Sequence, residues 1–396
     1  MVKVAHVVCG LNFGDEGKGL MTDYLSSKFD KSITVRFNGG AQAGHTVTTP
    51  EGFRHVFSHV GSGTFVNADT YLSEYFVCNP SLFFKELIDL YNIGVRPKVY
   101  INSEAYVTTP YDIIINQIAE KRRGSNKHGS CGVGFNETIH RNEIMEDVKL
   151  NVGDLKYPSI VRETLNKIRN TYAKFRLEEL GYADEYDLHR NIFHSDELLE
   201  NYMKDLKAFY DYIIVADDDL LNLYDNVVFE GAQGLLLDQY HKWFPHVTRS
   251  STGLENVSDI VNETNINDIN VNYMTRVYLT RHGAGPMPYE LSDKPYSKII
   301  DETNIPNDYQ GTLRFGYFNL DLINESISED LKKCKISGKG NHRLVVTCLD
   351  QVDDIIKIVL NGELKDVSVD SFKEIILSQY PGSMFSYGPT RNTINE

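Results

Sequence analysis

Residues Val4 to Val8 form a valine-rich, mostly apolar run that stops at Gly10. A short apolar run closed by a turn residue predicts a strand buried on both faces, because a half-exposed strand would alternate with polar residues. From Gly17 to Lys28 the spacing changes, and Leu20, Tyr24 and Leu25 fall on one side of a helix. Strand, glycine loop and helix in this order open a nucleotide-binding α/β fold. Similar apolar runs predict strands at Ser32–Phe37, Lys98–Ile101, Asn226–Phe229, Thr275–Leu279, Leu344–Thr347 and Ile355–Val359. Helical spacing predicts helices over Ser81–Tyr91 and Asp112–Lys121. From about Pro158 to Asp219 the chain turns polar, aromatic and periodic with few glycines, which predicts a helical insertion lying on the same core. No proline- or serine-rich linker, low-complexity tract or internal repeat interrupts the chain. The expectation is one α/β domain over residues 1–396. It has a large, mostly parallel central sheet with flanking helices, is P-loop-NTPase-like in its opening unit, and carries a helical insertion at about 158–219.

Composition narrows the partners. The 396 residues are 41% hydrophobic, enough for a large core. The formal charge of −15 repels nucleic acid and anionic membranes at long range, so neither is expected as a partner. An acidic chain that binds phosphates must gather its cations locally. The five cysteines, Cys9, Cys78, Cys131, Cys334 and Cys348, are scattered without CxxC or Cys/His spacing, which favours reduced thiols over a zinc site. The N-terminal apolar run is far shorter than the roughly 20 residues of a membrane span, and no signal-peptide pattern follows it. A cytoplasmic location is expected.

The chemistry is concentrated in four loops, each placed after a strand or strand candidate. The first is Gly10-Leu-Asn-Phe-Gly14-Asp15-Glu16-Gly17-Lys18-Gly19. Its glycines let backbone N–H groups approach phosphate oxygens, and the following helix adds its positive end. Lys18 supplies a cation. A carboxylate beside phosphates is repulsive unless a metal or proton intervenes, so Asp15 is a candidate Mg²⁺ ligand or general base. The spacing differs from the Walker A pattern GxxxxGK[ST]. The second loop, Arg36-Phe-Asn38-Gly39-Gly40-Ala-Gln42-Ala-Gly44-His45-Thr46, puts a histidine among glycines. The third is Glu230-Gly-Ala-Gln233-Gly234, followed by Thr248-Arg-Ser-Ser-Thr-Gly253. The fourth is Thr280-Arg-His-Gly-Ala-Gly-Pro286. Loops at the ends of successive strands of an open α/β sheet converge on one crevice.

With these loops in hand the chain resembles the adenylosuccinate synthetase family over nearly its whole length. GDEGKG at Gly14–Gly19, AGHT at Ala43–Thr46, EGAQG at Glu230–Gly234 and RxGAGPxPxE at Arg281–Glu290 carry the resemblance. It implies a ligase in which the 6-oxygen of a purine nucleoside monophosphate, IMP above all, takes the γ-phosphoryl group of GTP or ATP. The amine of L-aspartate then displaces that phosphate. The resemblance implies Asp15, His45, Lys18 and Gln233 as catalytic residues. Gly14, Asp15, Glu16, Gly17, Lys18, Gly19, Gly44, His45 and Thr46 would line the donor phosphates, and Asp15 with the Gly44 carbonyl would hold Mg²⁺. Asn38, Gln42, Ser130, Cys131, Arg141, Gln233 and Thr248 would meet the purine monophosphate. Arg141 matches an arginine that the family donates across a homodimer interface.

Two stretches depart from the family pattern. The family's TTGRxRR-like run, which holds the amino-acid carboxylate and the sugar, is replaced by Tyr309-Gln-Gly311-Thr312-Leu-Arg314-Phe315, in which one arginine survives. Neither threonine nor leucine replaces a guanidinium fork. For the donor base, Cys348-Leu-Asp350 stands where the family often has KLD, and Ser386-Tyr-Gly388-Pro389 resembles its STGP. Asp350, Ser386, Gly388 and Pro389 are therefore the expected base contacts, and they favour GTP. The reduced arginine run keeps open a phage-type activity that makes a 2-aminoadenylosuccinate from dGMP, aspartate and ATP. That branch often replaces the aspartate retained here as Asp15. A regulator without catalysis and a simple NTPase are further alternatives. The segment Arg54–His59 could approach substrate or form a packed loop with surface histidines, and Lys121–Arg123 and Asp217–Asp219 are expected to be surface features.

Overall fold

The structure is a computed structural model, and it describes residues 3–124, 131–300, 312–336 and 341–395. The first strand, Lys3–Gly10, lies inside a ten-stranded sheet. Edge to edge the sheet runs Ile394–Asn395, Met384–Ser386, His342–Thr347, Ile266–Arg276, Lys3–Gly10, Asn226–Glu230, Ser32–Arg36, Asp69–Leu72, Val99–Ile101 and Ile214–Val215. Every neighbouring pair is parallel except the first, where Ile394–Asn395 runs against Met384–Ser386. Parallel sheets carry helices on both faces, which is why their strands read as continuous apolar runs. Ser32–Arg36 and Asn226–Glu230 are buried at every position.

A second sheet, of five strands, joins Tyr278–Arg281, Arg314–Asn319, Ile355–Leu360 and Glu363–Ser368, with Glu290–Leu291 paired to Arg314–Asn319. The strand expected at Thr275–Leu279 is therefore two strands. Ile266–Arg276 ends the large sheet's run, Val277 N donates to Thr347 O at 3.0 Å, and Tyr278–Arg281 begins the small sheet. A hairpin, His45–Thr48 with Arg54–Phe57, stands apart from both sheets.

Helices Pro158–Lys167, Ala173–Glu179, Ala183–Leu188, Arg190–Phe193 and Asp196–Tyr212 make up the helical stretch. Its apolar side, including Leu165, Leu199, Leu206 and Phe209, packs with Leu72, Val99 and Ile101 of the large sheet. The stretch is helical only to Tyr212, because Ile214–Val215 returns to the sheet as its edge strand. The expected surface turn at Asp217–Asp219 is partly sealed: Asp218 is buried, accepts the Tyr71 hydroxyl at 2.6 Å, and is pushed up to about 6 by burial. His59, which one of the two readings of its segment puts at the surface, is fully buried, and its Nε2 accepts from Asn79 N at 3.0 Å. Among the described residues no helix is long and apolar enough to cross a membrane.

Candidate active site

Because the strands are parallel, their C-terminal ends share one edge of the sheet. Arg36 pairs with Glu230, and Val8, two residues before the first loop, also pairs with Glu230. The first three loops therefore leave the sheet side by side. The first strand and loop are bonded to the third: Gly231 N donates to Val8 O at 3.0 Å, and Leu236 N to Asn12 O at 3.0 Å.

The first loop is folded around its own charges. Asn12 N donates to Glu16 Oε1 at 2.6 Å, and both Glu16 and Lys18 are buried. Burial pushes the Glu16 carboxyl up to about 7 against the pull of Lys18. A side-chain carbon at Gly10 would fall 2.2 Å from Glu16 Oε2, 2.5 Å from Gln233 O and 3.0 Å from Lys18 Nζ, so only glycine fits there. Glu16 is thus an internal brace of the loop. Asp15 takes the rarer left-handed backbone, with φ 57°, and its carboxylate stays partly exposed.

His45 begins the hairpin and lies against the start of the helix Lys18–Ser26. Thr46 O and His45 Cβ are 2.9 and 3.2 Å from where a side-chain carbon at Gly19 would be. The His45 Nδ1 is 2.7 Å from Glu230 Oε1, and both residues are buried. Ser62 N donates to Glu230 Oε2 at 3.0 Å, and the Ser62 hydroxyl donates to Oε1. Arg36, fully buried, lies beside Glu230 and donates to Ser58 O at 2.9 Å. Burial alone would raise Glu230; His45, Arg36 and Ser62 outweigh it and hold the carboxyl down to about 2. Burial pulls His45 below its ordinary value, with Glu230 opposing. The pair is best described as an ionised Glu230 accepting Nδ1–H from the imidazole, which leaves Nε2 for a ligand.

Gln233, with φ 61°, and Gln42 both hold buried amide atoms without a hydrogen-bond partner. Unpaired buried amides are costly and mark where a polar ligand would be welcome. Asn38 is different. Its Oδ1 accepts from Ala232 N at 2.7 Å, and its Nδ2 donates to Ala232 O at 3.2 Å and Ser251 O at 3.0 Å. This amide ties the second and third loops together and does not face a ligand. Thr248, half-buried, closes a turn through its N to Leu237 O at 2.8 Å. Cys131 is half-buried, and burial, with a smaller effect of the Asp15 charge, pushes its thiol up. Ser130 and Gly311 lie outside the described residues.

The expectation for Arg141 is overturned. The side chain is fully buried, with Nε 2.9 Å from Asp112 Oδ1 and Nη2 2.9 Å from Val107 O and 3.1 Å from Asp112 Oδ2. Nη1 donates to Val148 O. A guanidinium held this way cannot reach across a subunit interface; it welds the helix Phe135–Ile144 to the helix Pro110–Arg123. Arg314 is also engaged. Its Nε is 2.7 Å from Glu290 Oε1, and Nη1 donates to Gly283 O at 3.0 Å and Gly285 O at 2.9 Å. The surviving arginine of the altered run braces the fourth loop, and Thr312 beside it is exposed.

The donor-base candidates flank the first loop from the other side. Thr347 Oγ1 donates to Glu16 O at 3.2 Å, and Val345 and Val346 of its strand pair with Met384 and Phe385. Asp350 and Pro389 are exposed, Gly388 is half-buried, and Ser386 is buried with its hydroxyl donated to Gly388 O at 2.9 Å. Arg391 anchors this segment to Asp23 of the first helix at 3.0 Å.

Residues without a sequence signal of their own complete the picture. Ser62 lay in no motif. Glu230 and Arg36 stand at the edges of their loops, where residue type alone gives them no role, and His282 is one residue among the glycines of the fourth loop. Among the described residues, no group of three or more His, Cys, Asp or Glu could hold a metal by itself. Mg²⁺ commonly binds through one or two carboxylates together with substrate phosphates. The open carboxylate of Asp15 and the exposed Gly44 fit that donor set, whereas the sealed Glu16 does not.

The profile of the adenylosuccinate synthetase family matches residues 7–375. The adenylosuccinate synthetase of Trichodesmium erythraeum is 34% identical over 302 residues, 74% of this chain and 66% of that protein. Among solved structures, the fully ligated adenylosuccinate synthetase from Plasmodium falciparum superposes with a TM-score of 0.74 at 20% identity, covering 100% of this chain and 99% of that one. The succinoaminodeoxyadenylate synthetase of cyanophage S-2L, bound to dGMP and dATP, superposes with a TM-score of 0.65 at 13% identity, covering 100% and 96%. Their shared fold agrees with the profile and with the first three loops gathered on one edge of the large sheet, and the chain belongs to the adenylosuccinate synthetase family, whose members are ligases that form a C–N bond.

Proposed function

We propose that the chain joins L-aspartate to C6 of IMP, driven by GTP. The observation that carries this reading is the pairing of a sealed His45–Glu230 unit with an open Asp15 carboxylate around one phosphate loop. Asp15 would take the N1 proton of the purine, so that negative charge builds on the 6-oxygen. That oxygen attacks the γ-phosphorus, the bond to the β-phosphate oxygen breaks, and the nucleoside diphosphate leaves. The aspartate amine then adds at C6 and phosphate departs with the former 6-oxygen. Lys18 and the loop N–H groups neutralise the phosphates. His45, fixed through Nδ1, presents Nε2 to the transferring group; negative phosphate charge beside it favours the protonated, donating form. Mg²⁺, held by Asp15 and Gly44, would supply further charge neutralisation on the phosphates. Gln42 and Gln233 would pair with the purine monophosphate, and Asp350 would read guanine N–H groups of the donor. A homodimer, typical of the family, remains part of this reading, but without Arg141 as its shared arginine.

A second reading is favoured by Arg314, the one arginine kept in the altered run, whose guanidinium is already held by Glu290 and the fourth loop. It takes dGMP as acceptor and ATP as donor. Purified protein should be given IMP, dIMP, GMP and dGMP, each with aspartate and either GTP or ATP. The first reading expects aspartate-dependent phosphate release to be fastest with IMP and GTP. Turnover of dGMP alone would replace it with the second, and phosphate release independent of aspartate would overturn both.

A further inference from the structure

The fourth loop carries a residue that the reaction above leaves unused. His282 Nε2 lies 3.4 Å from Asp15 Oδ2, while His282 Nδ1 is buried and has no hydrogen-bond partner. A buried N–H without an acceptor is rarer and costlier than a bare lone pair. The proton of the neutral imidazole therefore belongs on Nε2, facing the carboxylate. We propose that His282 is the positioning residue for Asp15, holding Oδ2 so that the other carboxylate oxygen is left to face the metal and the purine.

The surroundings support a fixed role. Arg281 donates to Pro286 O at 2.6 Å, Ala284 O at 2.8 Å and His246 O at 3.0 Å, so the loop is pinned on one side. Arg314 pins it on the other through Gly283 O and Gly285 O. Residue 15 is itself gripped twice. Arg276 Nε donates to its carbonyl, and His282 meets its carboxylate. This double hold helps an aspartate keep the left-handed backbone at φ 57° while its side chain stays partly exposed. The contact needs no charge on the imidazole, because a neutral Nε2–H suffices. At 3.4 Å the two groups are in contact but outside the usual range of about 2.7–3.2 Å for an N–H···O bond, so a small movement of the loop or of Asp15 would close it.

The kinetic part of this inference rests on the proposed ligase activity; the contact itself does not. The full chain should be compared with His282→Ala, His282→Gln and Asp15→Asn. With the acceptor that the wild type uses, His282→Ala should lower kcat about tenfold, as loss of an orienting partner typically does, with KM for the triphosphate within about twofold and Tm nearly unchanged. His282→Gln, which can still donate an N–H, should recover part of kcat. In the Asp15→Asn background His282→Ala should cost nothing further, since two residues acting as one unit are not additive. Independently of turnover, ¹⁵N-histidine spectra of the whole protein should show the resonance missing from the His282 variants as Nε2-protonated, and that resonance should shift in Asp15→Asn. A wild type that ligates no purine monophosphate would remove the ligase reading and leave the spectra to judge the contact. A His282 resonance indifferent to residue 15, or wild-type kcat in His282→Ala, would overturn the proposal.

Discussion

His45 and Asp15 stand on loops that leave the same edge of one sheet, yet their surroundings differ in kind. His45 is enclosed: Glu230 accepts its Nδ1–H, Ser62 bonds Glu230 twice, and Arg36 lies behind them with no solvent contact. Asp15 is held at the margin, by one imidazole and one backbone contact, with its carboxylate open. The difference fits the proposed tasks. A group that stabilises a transferring phosphoryl gains from a dry, preorganised setting, where each hydrogen bond is stronger. A group that must meet a metal and an exchanging purine cannot be sealed before they arrive. The enclosed side should therefore couple activity to stability, and the open side should not.

The largest effects test that coupling directly. Asp15→Asn and His45→Ala should each lower kcat by roughly 10²–10⁴-fold, the range of lost acid–base groups. Urea unfolding should separate them. Asp15→Asn should leave stability near wild type, whereas His45→Ala leaves Glu230 buried with one partner fewer and should lower stability by about 1–3 kcal/mol. Equal stability in the two variants would erase the distinction between the sides.

Next in size is the acid limb of stability. Glu230 is held down to about 2, from an ordinary value of 4.5. A carboxyl whose folded value is depressed stabilises the protein above its unfolded value, and that contribution disappears as pH falls from about 4.5 toward 2. Glu230→Gln should flatten the stability profile across that acid window and lower kcat about 10- to 100-fold through the loosened imidazole. An unchanged acid limb would show that other carboxylates carry it.

How much of this the sequence announces depends on whether the signal is local. The first strand, the glycine loop and the first helix are read correctly because apolar run, turn residues and helical spacing sit side by side, and the structure has them at Lys3–Gly10 and Lys18–Ser26. The single strand expected at Thr275–Leu279 fails because Arg276 and Tyr278 join different sheets, a choice made by distant partners at Thr347 and Tyr317. The same holds in the site. Asp15, Lys18 and His45 stand out by residue type in glycine-rich loops. Ser62 and Arg36 do not, since a serine becomes a partner of Glu230 only when the sheet brings positions 62 and 230 together. Arg141 shows the opposite failure: a matching position in the chain says nothing of Asp112, which in the folded protein takes its guanidinium inward.

The smallest effects concern two amides separated by three residues, Asn38 and Gln42. Asn38 bonds Ala232 through both N–H and C=O and Ser251 through its carbonyl, so it belongs to the enclosed part of the site. Gln42 has neither its oxygen nor its nitrogen paired, so it belongs to the part that waits for a ligand. Asn38→Ala should therefore cost about 1–3 kcal/mol of stability, since it strands the Ala232 and Ser251 groups. Gln42→Ala should leave the denaturant midpoint within experimental scatter and raise KM for the purine monophosphate severalfold, the effect of one neutral hydrogen bond at about 1 kcal/mol. Calorimetric titration of both variants with IMP separates the two outcomes. If Asn38→Ala weakens IMP binding while Gln42→Ala unfolds more readily, the boundary between the enclosed and the open side has been drawn in the wrong place.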